Sequence, residues 1–114
     1  MTGIKNLDKS TVLHLKEQIA YQPGQVVSRT LAQNPYVSVT LFAFAEGEEI
    51  STHDSAGDAM VQVLEGTGRF TVGGEEHLVH AGEALVMPAG IPHAVFAPEA
   101  FKMLLTVVFP TQTH

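Results

Sequence analysis

Gly82-Glu83-Ala84-Leu85-Val86-Met87-Pro88-Ala89-Gly90-Ile91-Pro92-His93 is a short hydrophobic strand that runs into a proline and glycine turn and delivers a histidine. Forty residues before that histidine, a similar unit opened by Gly47 delivers His53. Two histidines placed after like strand-and-turn units, in a sequence dominated by strand patterns, point to a barrel with one internal site.

Outward from these units the text keeps the same rhythm. From Pro35 onward, short strands alternate with turn signals every eight to twelve residues or so, the pattern of an all-β sandwich or barrel. Strands are expected over Tyr36 to Glu46, Asp58 to Glu65, Arg69 to Val72, Glu75 to His80 and Phe101 to Phe109. Gly73-Gly74 between two of them is a two-residue hairpin signal, because paired glycines accept the positive φ of a primed turn. Apolar residues occupy both alternation sets of Val37 to Ala45 and of Met103 to Phe109, so both faces of those strands should be covered. A homodimer packed sheet to sheet would cover them. Before Pro35, Val12, Leu15 and Ile19 can form one face of a short helix, and Val26 to Leu31 reads as a strand ended by Asn34-Pro35. One domain is expected overall, with residues 1–34 as an N-terminal arm suited to a dimer contact and 35–114 as the barrel.

Composition narrows the possible partners. With 114 residues, one domain should bury roughly two thirds of the surface of its unfolded chain without disulfides. The chain has no cysteine, which removes thiolate chemistry and thiolate metal ligands and fits a reducing compartment, with the cytoplasm as the expected location. No apolar run reaches the roughly 18 residues of a membrane span, and Met1 to Lys9 lacks the apolar core of a signal peptide. Net charge is −6, and Glu46 to Glu83 carries nine carboxylates against the single cation Arg69. Nucleic acid and anionic lipid are therefore not expected partners, since no basic stripe offers to neutralise them.

The two histidine units resemble the motifs of the cupin family, small double-stranded β-helix barrels. The family's second motif has glycine, five residues, proline, one residue, glycine, two residues and histidine; Gly82, Pro88, Gly90 and His93 match at every spacing. Meeting those four positions by chance is on the order of 10⁻³ or rarer at average glycine and proline usage. The asparagine that closes the motif is Ala97 here. In the first motif Gly47, His53 and Gly66 match, whereas the second histidine is replaced by Ser55 and the glutamate by Ala59. The resemblance implies an all-β, jelly-roll barrel covering roughly Phe42 to Phe109, and it implies metal ligands at His53 and His93, with two of the usual four absent.

Durable sites for first-row metals commonly use three or four protein donors, so two imidazoles should hold a divalent ion such as Zn, Ni, Fe or Mn only weakly. Ser55 can add its hydroxyl, and Asp54 or Asp58 can swing in from the adjoining loop. Gln62 is a further candidate donor, although strand alternation sets it opposite Ala59 unless a bulge intervenes. Met60, Met87, Phe42, Phe44 and Phe96 are the expected apolar lining of a ligand pocket. His77 and His80 lie on a charged strand and read as surface residues, and neither His14 nor the terminal His114 is assigned a role. Tyr21 and Tyr36, the only tyrosines, fall outside both motifs, which argues against the histidine–tyrosine pair of metal-free sugar-epimerase relatives. The leading expectation is a barrel that binds a small, mostly apolar molecule, with or without a weakly held metal. Two alternatives stand beside it. One is a metalloenzyme of the dioxygenase or isomerase type that the resemblance suggests; the other is metal-free catalysis with a histidine as acid and base.

Overall fold

The computed structural model describes residues 3–110, so His114 lies outside the described residues. They form nine strands and one 3-10 turn, Leu15–Glu17. The strands are β1 (Val26–Gln33), β2 (Val37–Phe44), β3 (Glu49–His53), β4 (Asp58–Glu65), β5 (Thr67–Val72), β6 (Glu75–His80), β7 (Ala84–Met87), β8 (His93–Phe96) and β9 (Phe101–Val108). A five-stranded sheet runs β1-β2-β9-β4-β7 and a four-stranded sheet runs β3-β8-β5-β6, with all pairings antiparallel. These are the two layers of the expected jelly-roll barrel. The Gly73-Gly74 hairpin between β5 and β6 has φ of 58° and 86°, the left-handed torsions its sequence predicts.

Alternation decides what faces inward. Ala59, Val61 and Val63 of β4 are buried, as are Val95 of β8 and Phe101, Met103 and Val107 of β9; with Phe44 and Phe70 they form the core between the sheets. Phe44 stacks on Phe101 at 4.7 Å and Phe70 meets the same ring edge-on at 6.1 Å. Aromatic burial of this kind closes that part of the barrel with a dry plug. Gly66 and Gly68 permit the closure: a Cβ on Gly66 would collide with the Ala100 carbonyl, and one on Gly68 would press on the Phe101 ring at 2.7 Å.

The outer face of the five-stranded sheet carries a second apolar cluster of Ile19, Leu31, Leu41 and Ala43, flanked by Leu7, Leu15 and Tyr21. The chain's own N-terminal segment thus covers Leu41 and Ala43, both wholly buried, and neither needs a second copy for that purpose. The expected helical face is not formed, since Val12 is 93% exposed and only Leu15–Glu17 turns. The 3-10 turn has no side-chain cap at His14, and Pro23-Gly24 closes the segment as a turn; side-chain contacts hold it against the sheet. The Tyr21 hydroxyl donates to Glu65 at 2.6 Å, and Lys102 donates to the Lys16 carbonyl at 2.6 Å while its ammonium lies 4.8 Å over the Tyr21 ring. The open half of this face keeps a cross-strand row of Val39, Thr106, Met60 and Val86.

Candidate functional site

His53 and His93 are directly opposite one another on β3 and β8. The local backbone explains how both rings reach one cavity, His93 buried and His53 exposed at its edge. On β8, His93 and Val95 alternate inward and Phe96 outward. On β3, Ile50 pairs with Val95, yet His53 pairs with His93, so one extra residue is inserted between Ile50 and His53. Three residues apart on a regular strand, Ile50 and His53 would face opposite sides. The bulge re-aims His53. Both residues consequently line the same cavity.

The rings meet at 4.3 Å between centroids, nearly perpendicular at 70°. Their Nε2 atoms are 3.1 Å apart. Each Nδ1 stands within hydrogen-bond distance of a backbone carbonyl two residues earlier, His53 to Ser51 at 2.9 Å and His93 to Ile91 at 3.2 Å. A carbonyl only accepts, so each Nδ1 carries the proton and each neutral ring turns a bare Nε2 lone pair toward the other. Two lone pairs at that distance repel unless something electrophilic, a proton or a cation, is shared between them. Burial, the largest cause, holds the His93 ring below its usual pKa; the Ile91 carbonyl opposes that effect, a proton on His53 would add to it, and the Asp54 carboxylate opposes it.

The cavity has a volume of about 260 Å³. Its polar side chains, His53, Asp54, Ser55 and His93, come from the end of β3, the following loop and the start of β8. The remaining wall is apolar, with Phe42, Ile50, Ala59, Met87, Val95 and Met103 among its residues. Gly90 ties the two histidine units together by donating its N–H to the Ser55 carbonyl at 2.9 Å, in a turn whose φ of 76° suits glycine. Asp58 braces the same turn by accepting the Ala89 N–H at 2.8 Å.

Of the residues expected to line a pocket, Phe42 and Met87 do so. Met60 lies outside because its neighbours Ala59 and Val61 take the inward positions of β4, and the same parity leaves Gln62 exposed and away from the imidazoles. Phe96 faces outward under the Arg69 guanidinium, 4.5 Å from the ring centre. Phe44 faces inward but belongs to the aromatic plug. Ser55 reaches the cavity, with its Oγ accepting the Gly57 N–H at 3.2 Å. His77 and His80 sit beside Glu75 and Glu83 on β6, away from the cavity, and His14 is exposed on the N-terminal segment. Ile50, Val95, Met103, Leu105 and Val107 complete the lining although no short motif marks them; inward parity on β8 and β9 is the signal that could have found them, and the β3 bulge hides Ile50.

A divalent ion fits the pair. Nitrogens about 2.05 Å from one metal are about 2.9 Å apart at a right angle and about 3.3 Å apart at the tetrahedral angle, and the observed 3.1 Å lies between. Backbone carbonyls on both Nδ1 atoms supply the second contact by which ligating histidines are oriented. Among the described residues no group of three or more histidine, cysteine or carboxylate side chains is arranged to hold a metal.

Comparison with known proteins agrees with this architecture. A structure of a conserved protein of unknown function from Streptococcus pyogenes matches with a TM-score of 0.95 and 44% identity over 98% of each chain. A cupin superfamily protein from Desulfitobacterium hafniense matches with a TM-score of 0.91 and 31% identity over 96% of this chain and 100% of that one. Salicylate 1,2-dioxygenase from Pseudoaminobacter salicylatoxidans shares the fold at a TM-score of 0.69, with 20% identity over 82% of this chain and 27% of that one. No curated protein is significantly similar. The cupin domain description matches residues 40–109, well over half of the sequence and both histidine units, and the chain belongs to the cupin family.

Proposed function

We propose that this protein binds a small, mostly apolar molecule in the barrel cavity, anchored by His53 and His93, with a divalent transition metal held weakly between their Nε2 atoms. The convergence of two carbonyl-oriented imidazoles at 3.1 Å carries this reading. Ligand pockets for drug-sized molecules span about 300–1,000 Å³, so a cavity of about 260 Å³ restricts the occupant to something smaller. Its polar atoms belong at the histidine end and its hydrocarbon against Phe42, Met87 and Met103. Met103 and Met87 can adapt their shape to the ligand, as flexible thioethers do.

A metal bound there supplies a Lewis acid that polarises a ligand oxygen. The residues' own part is to orient and exclude water: the carbonyls of Ser51 and Ile91 fix both rings, and the apolar wall desolvates whatever lies against them. The metal-free alternative rests on the same contact, because a proton shared between the rings also relieves the lone-pair clash.

Metal analysis of untagged protein separates the two. We expect wild-type protein soaked with Zn, Ni, Fe or Mn to retain one ion per chain after gel filtration and to lose it to a chelator, and a His53→Ala, His93→Ala double variant to retain none. Equal retention by both proteins, or none by either, removes the metal from the reading. A thermal-shift screen of small apolar compounds then tests the cavity, and turnover assays on each stabilising compound distinguish a binder from an enzyme.

A further inference from the structure

The N-terminal segment covers only half of the outer face of the five-stranded sheet. On the other half, directly opposite pairs set Val37 beside Val108 and, one rung along, place Val39, Thr106, Met60 and Val86 in a row across β2, β9, β4 and β7. Val108 is 57% exposed, Val86 55% and Met60 37%. The next rung adds Gln62 and Ala84, both exposed and uncharged, before it reaches Leu104 and Leu41 at the covered half. We propose that this half-face is where a second copy of the chain packs, the two sheets meeting face to face about a two-fold axis.

Charge selects that occupant. With a net charge of −6, two copies repel one another over most of their surface. The rungs described carry no lysine, arginine or glutamate, and the one aspartate at their border, Asp58 opposite Val108, accepts the Ala89 N–H at 2.8 Å. Like chains can therefore meet here without opposing carboxylates. Loss of charge from the middle of a patch, with methionine and other apolar side chains in its place, distinguishes the core of an interface from ordinary surface. A two-fold contact also needs a patch that complements itself, and a flat sheet face of short uncharged side chains does so without a matching pocket, as in sheet pairs whose strands cross at about 30°. The edges of the sheet are less suited. β1 is bulged between Thr30 and Ala32 and its Leu31 carbonyl accepts the Lys5 N–H at 2.7 Å, while β7 is four residues long; both features disfavour pairing edge to edge. Three rungs on four strands span roughly 400 Å² in projection at the usual strand spacings, and more as accessible surface because the side chains stand out from the sheet. That area lies at the low end for specific interfaces, so the dimer is reversible, with a dissociation constant on the order of micromolar.

Sedimentation velocity on the full chain, from about 1 µM to several hundred µM to bracket that constant, tests the proposal. Wild type should pass from monomer to dimer across the range. Met60→Glu and Val86→Glu each place a carboxylate in the contact on both copies, and each should weaken the dimer by about tenfold or more. An equimolar mixture of Met60→Glu and Met60→Lys should associate more tightly than either variant alone, because opposite charges then face one another. Leu78→Glu, at a 58% exposed position of β6 in the other sheet, should dimerise as wild type does. Four results overturn the proposal: wild type monomeric at every concentration, a dimer unchanged in both Met60→Glu and Val86→Glu, an equal loss in Leu78→Glu, or a mixture no more associated than its components. A monomer that pellets with phosphatidylcholine vesicles would assign the face to a lipid surface instead and overturn it as well. The cavity reading stands or falls separately, since none of these positions lines the cavity.

Discussion

At His93, burial favours the neutral ring, and this has a direction in pH. The folded-state pKa lies below the ordinary 6.5, with desolvation as its largest cause, so the unfolded chain binds a proton that the folded chain resists. Stability from this residue is fully present above 6.5 and is lost as pH falls through the lower folded value. Urea midpoints at pH 7.5 and 5.5 should fall in wild type by more than in His93→Gln. Metal binding should weaken over the same range, because it needs the Nε2 lone pair free. His93 and its turn were legible in the sequence, since the Gly82 to His93 spacing is carried by one contiguous run. His53 was legible as a residue, yet the reason its ring faces His93 was not: the extra residue between Ile50 and His53 shows only when the register with Val95 is known. Parity misplaced Met60 and Phe96 for a related reason, since apolar residues stand on both faces of these strands and composition alone does not say which face is inside.

At the level of elements, the turn from β4 into β5 is the tightest constraint on the barrel. Gly66 has φ of 74°, and any Cβ there meets the Ala100 carbonyl and lies 2.9 Å from Phe101 Cβ. Gly66→Ala should therefore cost about 2–3 kcal/mol, combining left-handed strain with overpacking, and chemical denaturation measures it; a loss below about 0.5 kcal/mol, the usual range of surface changes, would contradict the packing described. Strand positions from β2 to β9 were largely readable, because Gly and Pro punctuate them and β-branched residues fill them. Asp58–Glu65 and Glu75–His80 match the sequence expectation residue for residue, whereas β5 begins at Thr67 rather than Arg69. Gly68 stays in the strand because the Phe101 ring occupies the space where its side chain would be, a contact between residues far apart in sequence.

For the whole molecule, the N-terminal segment is a cover for the outer sheet. Its Tyr21 hydroxyl is bonded to Glu65, and burial together with that carboxylate pushes the Tyr21 pKa well above its ordinary 10.0. Tyr21→Phe should lower stability by about 1 kcal/mol, the usual net worth of one hydrogen bond reduced by partial exposure. The difference between the two proteins should shrink as pH rises above 10, where the unfolded chain releases the tyrosine proton that the folded chain retains. The cover was only half legible: Ile19 and Leu15 stood out as apolar, but the second faces of β2 and β9 could equally be covered by a partner copy, and a single sequence does not choose. The central claim remains the meeting of two distant imidazoles at one cavity of the barrel. Anomalous diffraction at the cobalt edge, from crystals soaked with Co²⁺, tests it most directly. A single peak about 2.1 Å from both His53 Nε2 and His93 Nε2 is the expected result; cobalt bound only at surface pairs such as His77–Glu75 or His80–Glu83, with the two rings turned apart, would contradict it.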